Sequence, residues 1–327
     1  MIFSKTPFRV SFFGGGTDFY KYFKNKKSLV IGTAIDKYIY IFLHRFYSNL
    51  FDHNIRLFYS KNEFVKSTAE IKHNVIKKIF VKEKLSKDIE LHIMSELPSY
   101  IGLGSSSAFT VGLLNLINDY KNKKVLKKKE LASDAIYTEQ FLLKENVGYQ
   151  DQILASYGGI NAIKFEGSKY RVEKIRPNFD IKKLVNNLFL VYTGVKRTAS
   201  DIESKKFSPN NKKNMKYLDN INQLSFEAYK CFAKSKNIDF FGELLHQTWL
   251  QKKKIHKVVS NNIIDEIYER GIEAGAGGGK LLGAGAGGFV LFYVDQKKHI
   301  KFLKAFNKKN YLKFNIDYSG SKTFKIK

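Results

Sequence analysis

Two rhythms of hydrophobic and polar positions meet near residue 100 of this chain. Ile89-Glu90-Leu91-His92-Ile93-Met94-Ser95 alternates as a half-buried strand does, whereas Phe109, Leu113, Leu116 and Ile117 share one face of a helix. Between them runs Pro98-Ser99-Tyr100-Ile101-Gly102-Leu103-Gly104-Ser105-Ser106-Ser107-Ala108. The pattern therefore predicts strand, glycine-hydroxyl loop and helix in succession. Such a loop suits phosphate: glycines admit an anion to the backbone, and the unpaired amides and dipole of the helix start favour negative charge. A plain serine cap after a tight turn is the simpler account, but two glycines and three serines together favour the phosphate loop. Elsewhere, Tyr38-Ile39-Tyr40-Ile41-Phe42-Leu43 is rich in β-branched and aromatic residues and predicts a buried strand, and Phe289-Val290-Leu291-Phe292-Tyr293-Val294 predicts another strand.

The loop is not the lysine-bearing G-x-x-x-x-G-K-[ST] type, since no lysine follows Gly104. Gly279-Lys280 does not supply it either: Ala274 replaces the first glycine and Leu281 the metal-binding hydroxyl. A nucleotide would have to be held by another kind of phosphate loop.

Three further segments carry candidate chemistry. Pro7 to Asp18 places Arg9 on a short strand ahead of Gly14-Gly15-Gly16-Thr17-Asp18. That turn is read either as a wide hairpin with Asp18 capping the next helix, or as backbone amides and a carboxylate that grasp a polar ligand such as a sugar. Glu139 lies on a predicted helix and Asp151 beyond a turn, an arrangement in which one acid can hold a divalent ion and the other accept a proton. Finally, Gly283, Gly285 and Gly288 satisfy G-x-G-x-x-G, yet the run follows a predicted helix and feeds a strand, the reverse of a dinucleotide site. A glycine hairpin lying flat against a ligand or another backbone fits better.

Composition narrows the classes. A chain of 327 residues predicts two domains, and 43% apolar with 15% aromatic content argues against disorder. The single Cys231 excludes an internal disulfide, and no apolar run or leader-like start points to a membrane or export, so a soluble cytoplasmic protein is expected. The net charge of +27 raises the question of nucleic acid. Its lysines are dispersed, however: Lys121, Lys123, Lys124, Lys127, Lys128 and Lys129 surround a helix connection, and Lys205, Lys206, Lys212, Lys213 and Lys216 fall in an Asn-rich stretch that reads as a surface loop. A solvated basic face that attracts anionic substrates is expected, with no nucleic-acid and no membrane partner; a homodimer stays open.

Taken in order, these segments resemble the signature motifs of the GHMP kinase superfamily (galactokinase, homoserine, mevalonate and phosphomevalonate kinases). The resemblance rests on P-x-x-x-G-L-G-S-S-x-A at Pro98–Ala108 and G-x-K-L-x-G-A-G-x-G-G at 278–288. The start P-x-R-V-S-F-F-G-G-G-T-D is similar to the sugar 1-kinase branch, especially its D-glycero-D-manno-heptose 7-phosphate kinases. Tyr192-Thr193-Gly194-Val195-Lys196-Arg197 and the segment from His246 to Lys253 agree.

The resemblance implies an α+β, two-domain fold. Residues 1–180 would form an N-terminal ATP-binding and catalytic domain like domain 2 of ribosomal protein S5, and residues 181–327 a ferredoxin-like C-terminal domain. It implies ATP and Mg2+, with the nucleotide on Pro98, Gly102, Leu103, Gly104, Ser105, Ser106, Ser107 and Ala108, and the ion on Ser106 and Glu139. Asp151 would be the base, with Arg9 beside it to offset transition-state charge. Gly14, Gly15, Gly16, Thr17, Asp18, Arg197 and Gly285 would meet the substrate. Gly15-Gly16 stands where galactokinase-like members carry Glu-His, which suits an already phosphorylated sugar, with Arg197 and Lys196 for its phosphate. The implied reaction phosphorylates the anomeric C1 hydroxyl of a sugar phosphate, heptose 7-phosphate giving the 1,7-bisphosphate for nucleotide-activated heptose. The alternatives are a free fucose-like or galactose-like sugar, or a basic nucleic-acid binder on a dead kinase core.

Overall fold

The computed structural model describes residues 1–122, 125–195, 212–255, 257–306 and 310–326. In chain order the first half comprises β1 (Ile2–Phe13), α1 (Tyr20–Phe23), β2 (Ser28–His44), β3 (Ile55–Phe58), β4 (Asn62–Val65), α2 (Asn74–Lys82), β5 (Ile89–Ser95), α3 (Ser105–Tyr120), α4 (Lys128–Tyr137), α5 (Gln150–Tyr157), β6 (Ile160–Glu166) and β7 (Lys169–Lys174). The second half comprises α6 (Ile181–Asn186), β8 (Leu188–Tyr192), α7 (Lys212–Lys234), α8 (Phe240–Ile255), α9 (Asn262–Glu273), β9 (Ala276–Leu281), β10 (Phe289–Val294), α10 (His299–Ala305), β11 (Tyr311–Leu312) and β12 (Lys322–Lys325).

The first sheet runs β12-β1-β2-β5-β3-β4, with β6 on the early part of β2 and β7 on β6. Its long strand β2 is the hinge of this arrangement: Ser28 to Thr33 pair with β6, and Ile39 to His44 with β5. Helix α3 packs its apolar face on this sheet, burying Phe109, Leu113, Leu116 and Ile117. Strand β5 and helix α3 stand where the sequence rhythms place them. The run from Tyr38 to Leu43 differs from its reading as a buried strand. Only Ile39, Ile41 and Leu43 are buried, while Tyr38, Tyr40 and Phe42 form an outer face on which Phe3 stacks against Phe42 and Lys5 sits over Tyr38. Apolar side chains on both faces signal aromatic cladding here, not a second buried layer.

The second sheet has the antiparallel order β11-β8-β10-β9. Counted from β8, that is 4-1-3-2, with helices crossing between its first and second and its third and fourth strands, which is the ferredoxin-like arrangement. The glycine run Ala276–Leu281 is itself strand β9. A Cβ at Gly278 would lie 1.9 Å from the carbonyl oxygen of Gly242, so its bareness lets α8 press onto the sheet. Lys212 and Lys216 belong to α7, not to a surface loop; Lys205 and Lys206 lie outside the described residues.

The two sheets share packing. Phe12 and Phe13 at the end of β1 each meet the Phe241 ring edge-on at 5.2 Å. Residue 180 lies between β7 of the first sheet and β8 of the second, but β12, which the expected 181–327 domain includes, pairs with β1 of the first sheet. Among the described residues no helix is long and apolar enough to cross a membrane.

Candidate active site

Helix α3 begins directly from the glycine-serine loop. Gly104 takes the left-handed conformation, φ 74°, at the residue before the helix, and the Ala108 amide donates to its carbonyl at 2.9 Å. The amides of Ser105, Ser106 and Ser107 thus stand at the open end of the helix, and no acid occupies its first turn. Leu103, Ser107 and Ala108 are buried, Gly102, Gly104 and Ser105 half-buried, and Pro98 and Ser106 exposed. The glycine hairpin closes on this loop by backbone contact: the Phe289 amide donates to the Ile101 carbonyl at 3.2 Å, and a Cβ at Gly288 would lie 2.2 Å from that oxygen. Gly285 is buried against the backbone of Val259.

Strand β1 delivers Arg9 beneath the loop. Its register with β2 shifts between Pro7 and Arg9 and again between Ser11 and Phe13, irregularities that re-aim side chains at such positions. Arg9 grips Asp151 with two bonds, Nε to Oδ1 at 2.7 Å and Nη2 to Oδ2 at 2.6 Å. Its Nη1 donates to the Gly102 carbonyl at 2.7 Å and its amide to the Leu103 carbonyl at 3.0 Å. A Cβ on Gly104 would sit 3.0 Å from Arg9 Cγ. One buried guanidinium therefore ties strand, loop and the first turn of α5 into a unit, leaving the Asp151 side chain 24% exposed.

Glu139 is buried in a π-helical turn, Thr138–Leu142, that prolongs α4. Ser107 Oγ donates to its Oε2 at 2.9 Å and Gln152 Nε2 donates to the same oxygen. Burial, reinforced by the negative charge of Glu145, pushes its carboxyl up to about 8. Its Oε1 is buried with no partner. An unpartnered carboxylate oxygen facing inward fits a hard divalent cation, so the donor set accommodates magnesium. Ser107, the third serine, is the one that reaches this acid; the sequence signal for it was its place beside Ser106, with nothing to say which hydroxyl turns inward.

The glycine turn divides into builders and bystanders. Thr17 Oγ1 donates to the Gly14 carbonyl at 2.8 Å, and Asp18 accepts from the amides of Gly16 at 2.9 Å and Gln150 at 3.1 Å. Both side chains are fully buried, so in this structure they shape the turn and pin the start of α5, and Asp18 does not cap α1. Burial pushes the Asp18 carboxyl up to about 6, with the Asp151 charge adding to it. Gly15 and Gly16 remain half-exposed. Arg197 and Lys196 lie outside the described residues.

Three neighbours escaped the sequence reading. Ser11 Oγ and Gln150 Oε1 are buried with no partner. Lys280 on β9 is 3% exposed, and its Nζ donates to the Phe12 carbonyl at 2.8 Å; burial and the Arg9 charge push it down to about 7. A lone lysine inside a glycine-rich, otherwise apolar strand was the available clue.

The comparisons with known proteins fall on this geometry. The family described as GHMP kinases N terminal domain matches residues 63–159, which hold the loop, Glu139 and Asp151, and GHMP kinases C terminal matches residues 228–312. D-glycero-alpha-D-manno-heptose 7-phosphate kinase of Campylobacter jejuni is 32% identical over 99% of this chain and 98% of its own length. The chain belongs to the GHMP kinase family. Mevalonate kinase of Methanocaldococcus jannaschii is 30% identical over 69% of this GHMP kinase and 68% of its own length. The crystal structure of a D-glycero-D-manno-heptose 1-phosphate kinase from Bacteroides thetaiotaomicron superposes over the whole of both chains, with a TM-score of 0.79 at 22% identity. The two-domain α+β fold is therefore the GHMP kinase fold, and the protein is an ATP-dependent kinase.

Proposed function

We propose that this GHMP kinase phosphorylates the anomeric hydroxyl of a sugar phosphate, D-glycero-D-manno-heptose 7-phosphate, to give the 1,7-bisphosphate and ADP. The observation that carries the reading is the two-bond Arg9–Asp151 pair held against Gly102 and Gly104 of the loop. In this reading Asp151 is the proton acceptor and Arg9 a fixed cation, both beside the helix start where a triphosphate would lie. The full-length relative from Campylobacter jejuni supports the choice of sugar.

The loop from Gly102 to Ala108 cradles the ATP phosphates, with the amides of Ser105, Ser106 and Ser107 donating to them, and the terminal phosphoryl points toward Asp151. The sugar O1 forms the new bond to the γ-phosphorus as the bond to the β,γ-bridging oxygen breaks, and the O1 proton passes to an Asp151 carboxylate oxygen. Arg9 holds Asp151 in place and opposes the charge that builds on the phosphoryl oxygens. Glu139, through Oε1, and Ser106 would hold magnesium, which when bound supplies positive charge to the β- and γ-phosphates. Arg197 and Lys196 are assigned the sugar's own phosphate on sequence grounds.

An acceptor screen with Mg-ATP tests the reading. The heptose 7-phosphate is expected to be turned over with kcat/KM at least ~10²-fold above L-fucose and D-galactose, the margin that one well-placed charged contact supports. A free sugar ranking first would overturn the substrate assignment and favour the unphosphorylated alternative.

A further inference from the structure

Of the turn glycines, Gly14 and Gly16 have φ of 81° and 99°, which only glycine adopts with ease, but Gly15 has no such backbone demand. Its missing side chain is therefore a matter of space. A Cβ built there would meet Ser11 Oγ at 3.3 Å and Gln150 Nε2 at 3.6 Å, with Gln150 Oε1 at 4.0 Å. Each of those neighbours, Ser11 on β1 and Gln150 at the start of α5, carries a buried atom with no partner, Oγ and Oε1 respectively. A folded protein rarely leaves polar atoms buried and unpaired unless something else completes them.

The orientation of the amide is not arbitrary. Gln150 Nε2 donates to Asp18 Oδ1 at 3.3 Å while the Gln150 backbone amide donates to Oδ2. Flipping the amide would set its oxygen against that carboxylate, so Asp18 fixes Oε1 as an unused acceptor on the residue next to Asp151. We infer that Ser11 and Gln150 form an uncharged subsite at Gly15 that takes a hydroxyl of the sugar acceptor, Gln150 Oε1 accepting its proton and Ser11 Oγ completing the pair. An amide oxygen cannot donate and the Asp18 carboxylate is bonded to the same glutamine, so this spot suits a hydroxyl and not the substrate's phosphate. The inference rests on the sugar-kinase reading above and adds to it the residues that read the ring.

The test separates the two. Wild-type enzyme is assayed with ATP and heptose 7-phosphate, L-fucose and D-galactose. Turnover of a free sugar alone removes the proposed substrate and leaves the subsite to be tested on that sugar; no turnover of any of the three overturns both. With the accepted sugar, Ser11→Ala removes a hydroxyl that has no partner in the free protein. It should leave Tm unchanged or raised yet increase the acceptor KM about fivefold to tenfold, as loss of one hydrogen bond does, with the KM for ATP unchanged. Gly15→Ala fills the space without backbone strain and should raise the acceptor KM at least ~10-fold, again sparing ATP. Gln150→Leu should show the same effect on the parent sugar and lose it with one monodeoxy analogue, which identifies the hydroxyl. Acceptor KM values within about twofold of wild type for Ser11→Ala and Gly15→Ala, or equal rises for acceptor and ATP, would overturn the subsite.

Discussion

Asp151 and Glu139 flank one turn of the chain, yet the fold treats them in opposite ways. Asp151 is partly exposed and fully engaged by a guanidinium, whereas Glu139 is shut away, bonded on one oxygen only, and pushed up to about 8 by its burial. The guanidinium fixes both oxygens of Asp151 in one orientation, whereas Glu139 keeps one buried oxygen without a bond. The same functional group thus meets two different surroundings, and the proposed reaction gives the two acids different roles.

Replacing each acid by its amide is the sharpest way to break that contrast. Asp151→Asn should lower kcat by at least ~10²-fold with ATP affinity and the magnesium requirement unchanged. Glu139→Gln should lower kcat to a comparable degree, ~10²-fold, and in addition raise the magnesium concentration for half-maximal activity about tenfold or more. Steady-state rates across a magnesium titration decide the matter. Identical magnesium profiles for the two variants would dissolve the distinction.

A smaller effect probes what holds the Arg9 side of the contrast. Gly104→Ala places a methyl 3.0 Å from Arg9 Cγ and forces alanine into a left-handed backbone. The strain should cost about 1–2 kcal/mol of stability, and displacing the guanidinium should reduce kcat about tenfold to a hundredfold. Thermal melts beside kinetics measure both. The Glu139 side is probed more gently by Ser107→Ala, which removes one of its two named donors and should cost about threefold to tenfold in kcat.

Asp18 supplies the mildest test, through pH. Its carboxyl is raised in the folded chain from an ordinary 3.8 to about 6, so the folded state binds that proton more tightly than the unfolded one. The stability this contributes is present below about pH 4 and is lost as pH rises through about 6. Asp18→Asn lacks that dependence and one acceptor. Its Tm should lie below wild type at pH 4 to 5, with the gap narrowing toward pH 8 by on the order of a few degrees. A gap that widens with pH would show that the buried carboxyl is not the cause.

How far the sequence could be read varied with how local the physics was. Strand Ile89–Ser95 and the helix opening at Ser105 follow from side-chain rhythm and glycine placement over a few residues. The outer aromatic face of β2 did not, because a run of alternating tyrosine, isoleucine and phenylalanine looks the same whether one face or both are covered. Lys212 and Lys216 looked like loop because the stretch before them is rich in asparagine and contains proline, yet they lie in a helix whose Leu218 and Ile221 are buried in a core that holds Tyr22 and Val30.

From the order of residues alone came strand Ile89–Ser95, the glycine-serine loop, the helix opening at Ser105 and the roster of acids, since each depends on neighbours along the chain. The resemblance put Arg9 beside Asp151, but the two-bond geometry of that pair, which serine would turn onto Glu139, and which glycine was kept for room belong to the packed molecule. Those outcomes join groups as distant as Arg9 and Asp151, 142 residues apart, and Ser107 and Glu139, 32 apart. Charge, burial and hydrogen-bond completion depend on distance in space, which the linear chain does not state until the sheets and helices have closed on one another.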